Sequence, residues 1–175
     1  RQRQMCIRDS LSYVERLDQR ELDAIEIVVI HATETPDLQS ARELAEQIHY
    51  QGSQTGNSGH YYVDLDGSVY EYVPTDRVAH HVANYNLNSI GIELVNRGRY
   101  PHWFDSGSQK WTAEYPQVQL DALARLVESL KSRHTNLKRI ARHSDLDRRM
   151  LAASDDSSRK IRRKLDPGAT FPWDA

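Results

Sequence analysis

The sequence predicts a single α/β domain, and three segments carry this prediction. Residues 25–30 form a run dominated by β-branched apolar residues, which is typical of a central strand covered on both faces. Residues 59–73 place two strand-like segments on either side of Asp66-Gly67, the strongest short signal for a β-hairpin. Residues 117–134 carry apolar side chains at helical spacing, which predicts an amphipathic helix that covers the sheet. A chain of 175 residues with 38% hydrophobic residues suits one compact core.

Helices are predicted at three further places. In residues 1–24, which we interpret as an N-terminal extension, Ser10 is a suitable N-cap for an amphipathic helix. Residues 38–51 show helical spacing, and His49 near the end of this helix would complement the helix dipole. A short basic helix is predicted over residues 155–163.

The remaining segments are predicted as strands and loops. Residues 89–95 alternate as a strand does, and residues 137–141 form a shorter, partly apolar strand. Between them, the long loop 97–116 contains several aromatic residues, among them Trp111 and Tyr115. We expect this loop to be too polar for the core and to form the wall of a groove.

Charge gives little indication of a polymeric partner. The chain has a net charge of −2 with 27% charged residues, so the field of the whole molecule does not favour nucleic acid. A basic cluster at residues 159–164 is local. It is interpreted either as a solvated helix face or as a site of attraction to an anionic polymer.

The cysteine content and the hydropathy of the chain argue against disulfide-stabilised, thiolate-zinc and membrane-spanning proteins. Cys6 is the only cysteine, so no internal disulfide can form, thiolate zinc clusters are excluded, and histidine must supply the soft metal ligands. No apolar run approaches the roughly 20 residues that a membrane-spanning helix needs. The chain begins with Arg1 rather than Met, so a leader segment could have been lost and the localisation stays open. The absence of a secretion-signal pattern slightly favours the cytoplasm.

Three side chains suggest a metal site. His31 ends the most hydrophobic segment, His143 follows a short apolar strand, and Asp166 lies in a Lys-x-Asp-Pro-Gly sequence that begins with Lys164. Two nitrogens and one oxygen would leave one position of a tetrahedral Zn²⁺ open for water, which is the catalytic rather than the structural pattern. A capping or core role for His31 is the alternative.

Other polar residues suggest chemistry near that metal. Glu93 is an acid within an apolar strand, and burial of such a carboxylate raises its pKa towards that of a general base at neutral pH. A loop carries His80, His81 and Asn84, and it suits a sugar or peptide subsite, although an ordinary polar loop would look the same. Adjacent side chains on an extended segment point in opposite directions, so we expect at most one of the two histidines to face the site.

Several short motifs, in order, resemble one family over residues 25–173. The motifs are Val28-Val29-Ile30-His31, Gly59-His60-Tyr61-Tyr62-Val63 with Asp66-Gly67, Ala79-His80-His81, Ser89-Ile90-Gly91-Ile92-Glu93-Leu94, Arg142-His143-Ser144-Asp145 and Lys164-Leu165-Asp166-Pro167-Gly168. With these motifs in this order, the sequence is similar to the type 2 N-acetylmuramoyl-L-alanine amidases, which include AmpD-like bacterial enzymes and phage endolysins and have peptidoglycan recognition proteins as relatives.

The resemblance implies a fold, a reaction and a set of site residues. It implies a central mixed β-sheet flanked by helices, with residues 25–175 as a zinc amidase domain that cleaves the amide between N-acetylmuramic acid and L-alanine. By position, the Zn²⁺ ligands are His31, His143 and Asp166, the general base is Glu93, and Lys164 stabilises the oxyanion. Substrate contacts are assigned to His60, His81 and Asn84, although a structural role for His60 is the favoured alternative. The expected partner is peptidoglycan or a muropeptide, bound by a monomer.

Two departures from the family pattern stand out. The segment between the second histidine and the aspartate is longer than in AmpD-like members, so residues 146–162 form an insertion that would reshape the groove or bind glycan. Gly59 stands where the phage branch has a tyrosine, so no tyrosine takes that catalytic role. Two other functions remain open: a non-catalytic peptidoglycan-binding module of the same fold, and a zinc hydrolase of some other amide.

Overall fold

A mixed six-stranded β-sheet forms the centre of the molecule in the computed structural model, which describes residues 5–174. The strand order is β1-β4-β3-β5-β2-β6; β3 and β4 are antiparallel, and the other neighbours are parallel. This confirms the mixed sheet and the predicted hairpin. The six strands are β1 (Cys6–Arg8), β2 (Ile27–Ala32), β3 (Tyr61–Val63), β4 (Val69–Glu71), β5 (Ser89–Leu94) and β6 (Arg139–Arg142).

Strand β2 is covered on both faces, as its composition predicts. All six of its residues are buried, and it lies between the parallel strands β5 and β6. Val28 and Ile30 pack with one large apolar cluster that includes the helix α2 (Gln117–Arg133). Ile27 and Val29 pack on the opposite face. This double burial explains why the strand has no alternating pattern.

The two predicted helices beside the sheet are present, but the first is shorter than expected. Helix α1 (Leu38–Glu46) begins where Asp37 accepts a hydrogen bond from the Ser40 amide, and it ends before His49. The predicted helix-end role of His49 is therefore wrong, because the chain has already turned. Helix α2 is fixed on the sheet by Gln119, whose Nε2 donates to two backbone carbonyls of the sheet region.

The predicted N-terminal helix is wrong. The segment contains two single 3₁₀ turns, Val14–Arg16 and Leu22–Ala24, instead of a continuous α-helix. Its backbone amides bond to the chain around β4, for example from Leu11 to the Tyr72 carbonyl at 3.0 Å. These bonds replace the helical ones, and the apolar residues that suggested a helix are buried against α1 and the hairpin instead.

The predicted basic helix at 155–163 is also wrong, because this segment belongs to a second hairpin. Strands β7 (Met150–Ala152) and β8 (Lys160–Arg162) are antiparallel, and only Ile161 of β8 is buried. Asp156 accepts hydrogen bonds from Ser158 in the connecting turn. The basic residues of this cluster therefore lie on and beside a β-strand, not on one face of a helix. A one-turn helix, α3 (His143–Leu146), precedes the hairpin.

Within residues 5–174, no helix is both long and apolar enough to cross a membrane.

Candidate metal centre and active site

The candidate site lies at the carboxyl ends of the three parallel strands β5, β2 and β6. His31 in β2 pairs in register with Glu93 in β5, and His143 follows directly after β6. Parallel neighbouring strands bring such positions to one edge of a sheet, where ligands bind in open α/β sheets. Three segments far apart in sequence thus supply adjacent side chains.

Asp166 reaches the same edge from the C-terminal loop. The Ser144 amide donates to the Asp166 carbonyl at 3.0 Å, and the Tyr115 hydroxyl donates to the Pro167 carbonyl at 2.6 Å. Gly168 has a φ of +84°, and a Cβ there would lie 2.1 Å from the Trp111 ring. Both the backbone conformation and the close ring therefore require glycine at this position.

The two histidines and the aspartate form a compact, buried cluster. Asp166 Oδ2 lies 3.2 Å from His31 Nδ1 and 3.1 Å from His143 Nδ1. One ligand atom from each residue lies within 4.8 Å of the others. The residues predicted from sequence as metal ligands are therefore brought together by the fold.

The protonation states of the cluster fit a bound cation. Burial alone would raise the pKa of Asp166, but the neighbouring His143 and His31 outweigh burial and hold that pKa well below its usual range. Burial also lowers the pKa of His31 to about 4, and the neighbouring His143 adds to this shift. An ionised carboxylate and a neutral imidazole are the forms in which these groups bind a metal. The N, N, O donor set is one that Zn²⁺ accepts.

Glu93 lies beside this cluster as a mostly buried acid. Its Oε1 is 3.8 Å from His31 Nδ1, and its Oε2 is buried without a hydrogen-bond partner. Burial, helped by the negative charge of Asp166 and opposed by Lys164, raises the pKa of Glu93 to about 8. A group with such a pKa can both accept and return a proton near neutral pH.

A cavity of about 710 Å³ opens above the cluster. Its floor includes His31, His143, Asp166, Glu93 and Lys164. One wall comes from α1 and the segment that follows it, and the opposite wall includes Trp103, Phe104, Arg149 and Arg163. The volume is within the range of sites that bind small molecules or polymer segments.

Comparison with known protein families assigns this chain to one of them. A family described as N-acetylmuramoyl-L-alanine amidase matches residues 21–169. The chain belongs to this amidase family. A search of curated protein sequences gives no match.

Solved structures of the amidase family resemble this chain. The endolysin N-acetylmuramoyl-L-alanine amidase LysCS from Clostridium intestinale is 20% identical, with a TM-score of 0.66 and coverage of 97% of this chain and 91% of the other. AmiD from E. coli, in complex with an anhydro-N-acetylmuramic acid peptide substrate, is 27% identical with a TM-score of 0.65, covering 86% of this chain and 55% of the other. Drosophila PGRP-LB is 16% identical with a TM-score of 0.61, covering 81% and 84%.

The residues predicted to contact substrate in this amidase-family chain occupy three different environments. His81 lines the cavity. His60 is fully buried beneath it, where Nδ1 accepts from the Gly91 amide and Nε2 lies 2.9 Å from the Arg77 carbonyl. Asn84 is exposed and lines a separate depression. His60 and Asn84 therefore do not line this cavity, and their substrate contacts stay predictions; the burial of His60 fits its structural alternative.

Two predictions about loops also need correction. His80 and His81 both line the cavity, because their segment curves instead of running as an extended strand. Trp111 and Tyr115 are buried in the core against α2 and the sheet, so only the first part of the aromatic loop forms a wall. The apolar area of the two aromatic rings outweighs the polarity of their neighbours.

A buried ion pair beside the cavity was not predicted from the sequence. Arg99 Nε and Nη2 each lie 2.8 Å from a carboxylate oxygen of Glu34, and the Trp103 indole donates to the Glu34 carbonyl. The pair joins two loops 65 residues apart, so no local pattern could reveal it. It fixes the wall that carries Trp103 relative to the end of β2.

Proposed function

We propose that this protein is a zinc-dependent N-acetylmuramoyl-L-alanine amidase that hydrolyses the bond between the lactyl group of N-acetylmuramic acid and L-alanine. The observation that carries the proposal is the buried cluster of His31, His143 and Asp166 with Glu93 and Lys164 on the same cavity floor. Membership of the amidase family supports the substrate class.

The three clustered residues would hold the metal through His31, His143 and the Asp166 carboxylate. When bound, Zn²⁺ supplies Lewis acidity that polarises an amide carbonyl and acidifies water. The cluster itself supplies two imidazole nitrogens and one negative charge, so a bound divalent ion would keep a net positive charge beside the substrate.

Glu93 would move the proton that hydrolysis requires. Its carboxylate takes a proton from the attacking water, whose oxygen forms a bond to the carbonyl carbon of the substrate. Glu93 then returns the proton to the nitrogen of the leaving L-alanine as the carbon–nitrogen bond breaks. The pKa of about 8 suits both transfers.

Lys164 would stabilise the negative charge that develops on the carbonyl oxygen in the tetrahedral intermediate. Its side chain lines the cavity two residues before Asp166, so the metal ligand and the cation share one loop. A fixed positive charge at a partly buried site stabilises an oxyanion more than the same charge in water.

The residues around the cluster also bear on whether the protein hydrolyses peptidoglycan or only binds it. A module that only recognises peptidoglycan has no need of a buried acid with a raised pKa beside a metal site. The presence of Glu93 and Lys164 together with the three ligands favours hydrolysis.

Turnover of purified peptidoglycan and of a soluble muropeptide tests the proposal. The protein is assayed as isolated, after chelation and after Zn²⁺ is restored, with products identified by mass. We expect free L-alanine amino termini that disappear on chelation and return with zinc. Zinc binding without cleavage would instead establish the binding module, and cleavage of unrelated amides at equal rates would establish a broader hydrolase.

Variants of the ligands test the metal assignment directly. We expect His143→Ala and Asp166→Ala each to lower bound zinc and activity together, because each removes one of three ligands. Zinc content is measured by elemental analysis after dialysis. Full zinc content in both variants would remove these residues from the metal site.

A further inference from the structure

We infer that His81 and Ser89 are positioning residues, which hold the His31 ring in the tautomer that can bind a metal. This inference rests on the proposed metal site and concerns residues that are not themselves ligands. The feature that carries it is a chain of hydrogen bonds from the Tyr85 backbone carbonyl through Ser89 and His81 to His31.

The direction of this chain is set by its first member. The Tyr85 carbonyl can only accept, so the hydroxyl of Ser89, at 2.7 Å, must donate to it. A serine hydroxyl has one proton, so Ser89 Oγ has only lone pairs left for its second contact. His81 Nε2, at 3.0 Å from that oxygen, must therefore carry a proton and donate.

The position of the proton on His81 also determines the position of the proton on His31. A neutral imidazole that carries its proton on Nε2 has a lone pair on Nδ1. His81 Nδ1 lies 2.9 Å from His31 Nε2, so His31 must donate through Nε2. The remaining nitrogen of His31, Nδ1, then has a free lone pair. It is this nitrogen that lies 3.2 Å from Asp166 Oδ2 in the metal cluster.

The surroundings hold His81 in place for this contact. A Cβ at Gly91 would lie 2.6 Å from His81 Nδ1 and 2.7 Å from its Cγ, so the ring fills the space above that glycine. Asn86 Oδ1 accepts hydrogen bonds from the backbone amides of His81 and Val82, each at 2.9 Å. The ring is thus supported by the neighbouring strand and by its own loop.

A partner that orients a metal-binding histidine typically changes metal affinity by about 10- to 100-fold when it is removed. We expect this loss in Ser89→Ala and in His81→Phe, both measured as the zinc dissociation constant by competition with a chromogenic chelator. His81→Asn should retain more affinity than His81→Phe, because its Oδ1 can accept from His31 in place of Nδ1. Thermal unfolding verifies that each variant is folded.

The neighbouring histidine provides a matched control. His80 lines the same cavity and its Nδ1 has no hydrogen-bond partner, so His80→Phe should leave zinc affinity unchanged. Wild-type affinity in Ser89→Ala or in His81→Phe would overturn the inference. So would a loss in the His80 variant equal to that of His81→Phe.

Long-range ¹H–¹⁵N NMR spectra report the tautomers without any assay of activity. We expect both His31 and His81 to be protonated on Nε2 in the zinc-loaded protein. A proton on Nδ1 of His81 would overturn the inference. If the wild-type protein bound no zinc, the proposed function would fail, while the tautomer of His81 could still be read in the metal-free protein.

Discussion

At the scale of single residues, the site combines groups whose ordinary behaviour is changed by burial. Glu93 shows this most clearly, since an acid has been placed in an apolar strand with one carboxylate oxygen unpartnered. A buried acid of this kind is costly to ionise, and groups with such shifted pKa values cluster at functional sites.

Replacement of Glu93 by glutamine separates metal binding from proton transfer. We expect Glu93→Gln to keep zinc and to lower kcat by about 10²- to 10⁴-fold, because the amide cannot accept a proton. Zinc content and turnover of a muropeptide are measured together. Glu128→Gln, an exposed change of the same type on α2, serves as the control. Turnover close to wild type would assign the base to another group.

The raised pKa of Glu93 also predicts how stability depends on pH. Between pH 4.5 and about pH 8, the folded state holds this proton and the unfolded chain releases it, so the free energy of unfolding falls as pH rises. Glu93→Gln cannot ionise. In the presence of a chelator, we expect the free energy of unfolding of this variant, relative to wild type, to increase across this window by on the order of 5 kcal/mol. Urea unfolding at both ends of the window measures this, and parallel pH profiles would contradict it.

Sequence reasoning was most successful for residues at strand ends. His31, Glu93 and His143 follow or end apolar runs, so their convergence could be expected from parallel strands. The positions of His60 and Asn84 outside the main cavity could not be predicted, because their surroundings depend on how a loop folds back on the sheet. Nothing local in the sequence separates a buried histidine from an exposed one.

At the scale of elements, residues 146–162, which we predicted to be an insertion, contribute the hairpin β7–β8 beside the cavity. The buried carboxylate of Asp147 accepts from Arg149 and from Arg163, which both line the cavity wall. Ser154 and Asp155 bond to the loop that contains Phe104 and Ser106, so the hairpin and the aromatic loop form one wall. Whether these residues reshape the groove relative to other family members stays a prediction. The helix expected at 155–163 could not be excluded from sequence, because the charged residues mask the alternating pattern of a strand.

Arg149 offers a test of this wall. Its guanidinium lines the cavity and is 58% exposed, although it pairs with Asp147. If carboxylates of the proposed muropeptide substrate bind at this wall, we expect Arg149→Ala to raise KM by about three- to tenfold without loss of zinc. Arg159→Ala, on the same hairpin but outside this cavity, is the charge-matched control. Equal KM values in both variants would exclude this wall from substrate binding.

At the scale of the whole molecule, the N-terminal segment is part of the same packed unit as the site. Arg20 is buried, and its guanidinium donates to the carbonyls of Thr75, Asn86, Leu87 and Ser89. Burial lowers the pKa of Arg20 to about 10. One side chain thus supports the loop that holds His81.

Loss of the Arg20 guanidinium should destabilise the fold. We expect Arg20→Met to lower the free energy of unfolding by roughly 3 kcal/mol, because several buried carbonyls lose their donor. Arg16→Met removes an exposed arginine from the same segment and should change stability by less than about 1 kcal/mol. Urea unfolding at neutral pH compares the two, and equal effects would contradict a special role for Arg20.

The spacing of the cluster has a consequence for the covalent chain as a whole. His31 and Asp166 are 135 positions apart, so an ion shared between them would close a ring that contains most of the polypeptide. Because the ion would bind the folded chain and not the unfolded one, it would stabilise this closed arrangement by mass action, and the stabilisation would end when the ion is removed. In a protein without internal disulfides, the bound ion would thus provide a reversible link between segments near the beginning and the end of the fold. Hydrogen exchange in the segment 143–168 should accordingly accelerate on chelation, while exchange in the hairpin β3–β4 should change less.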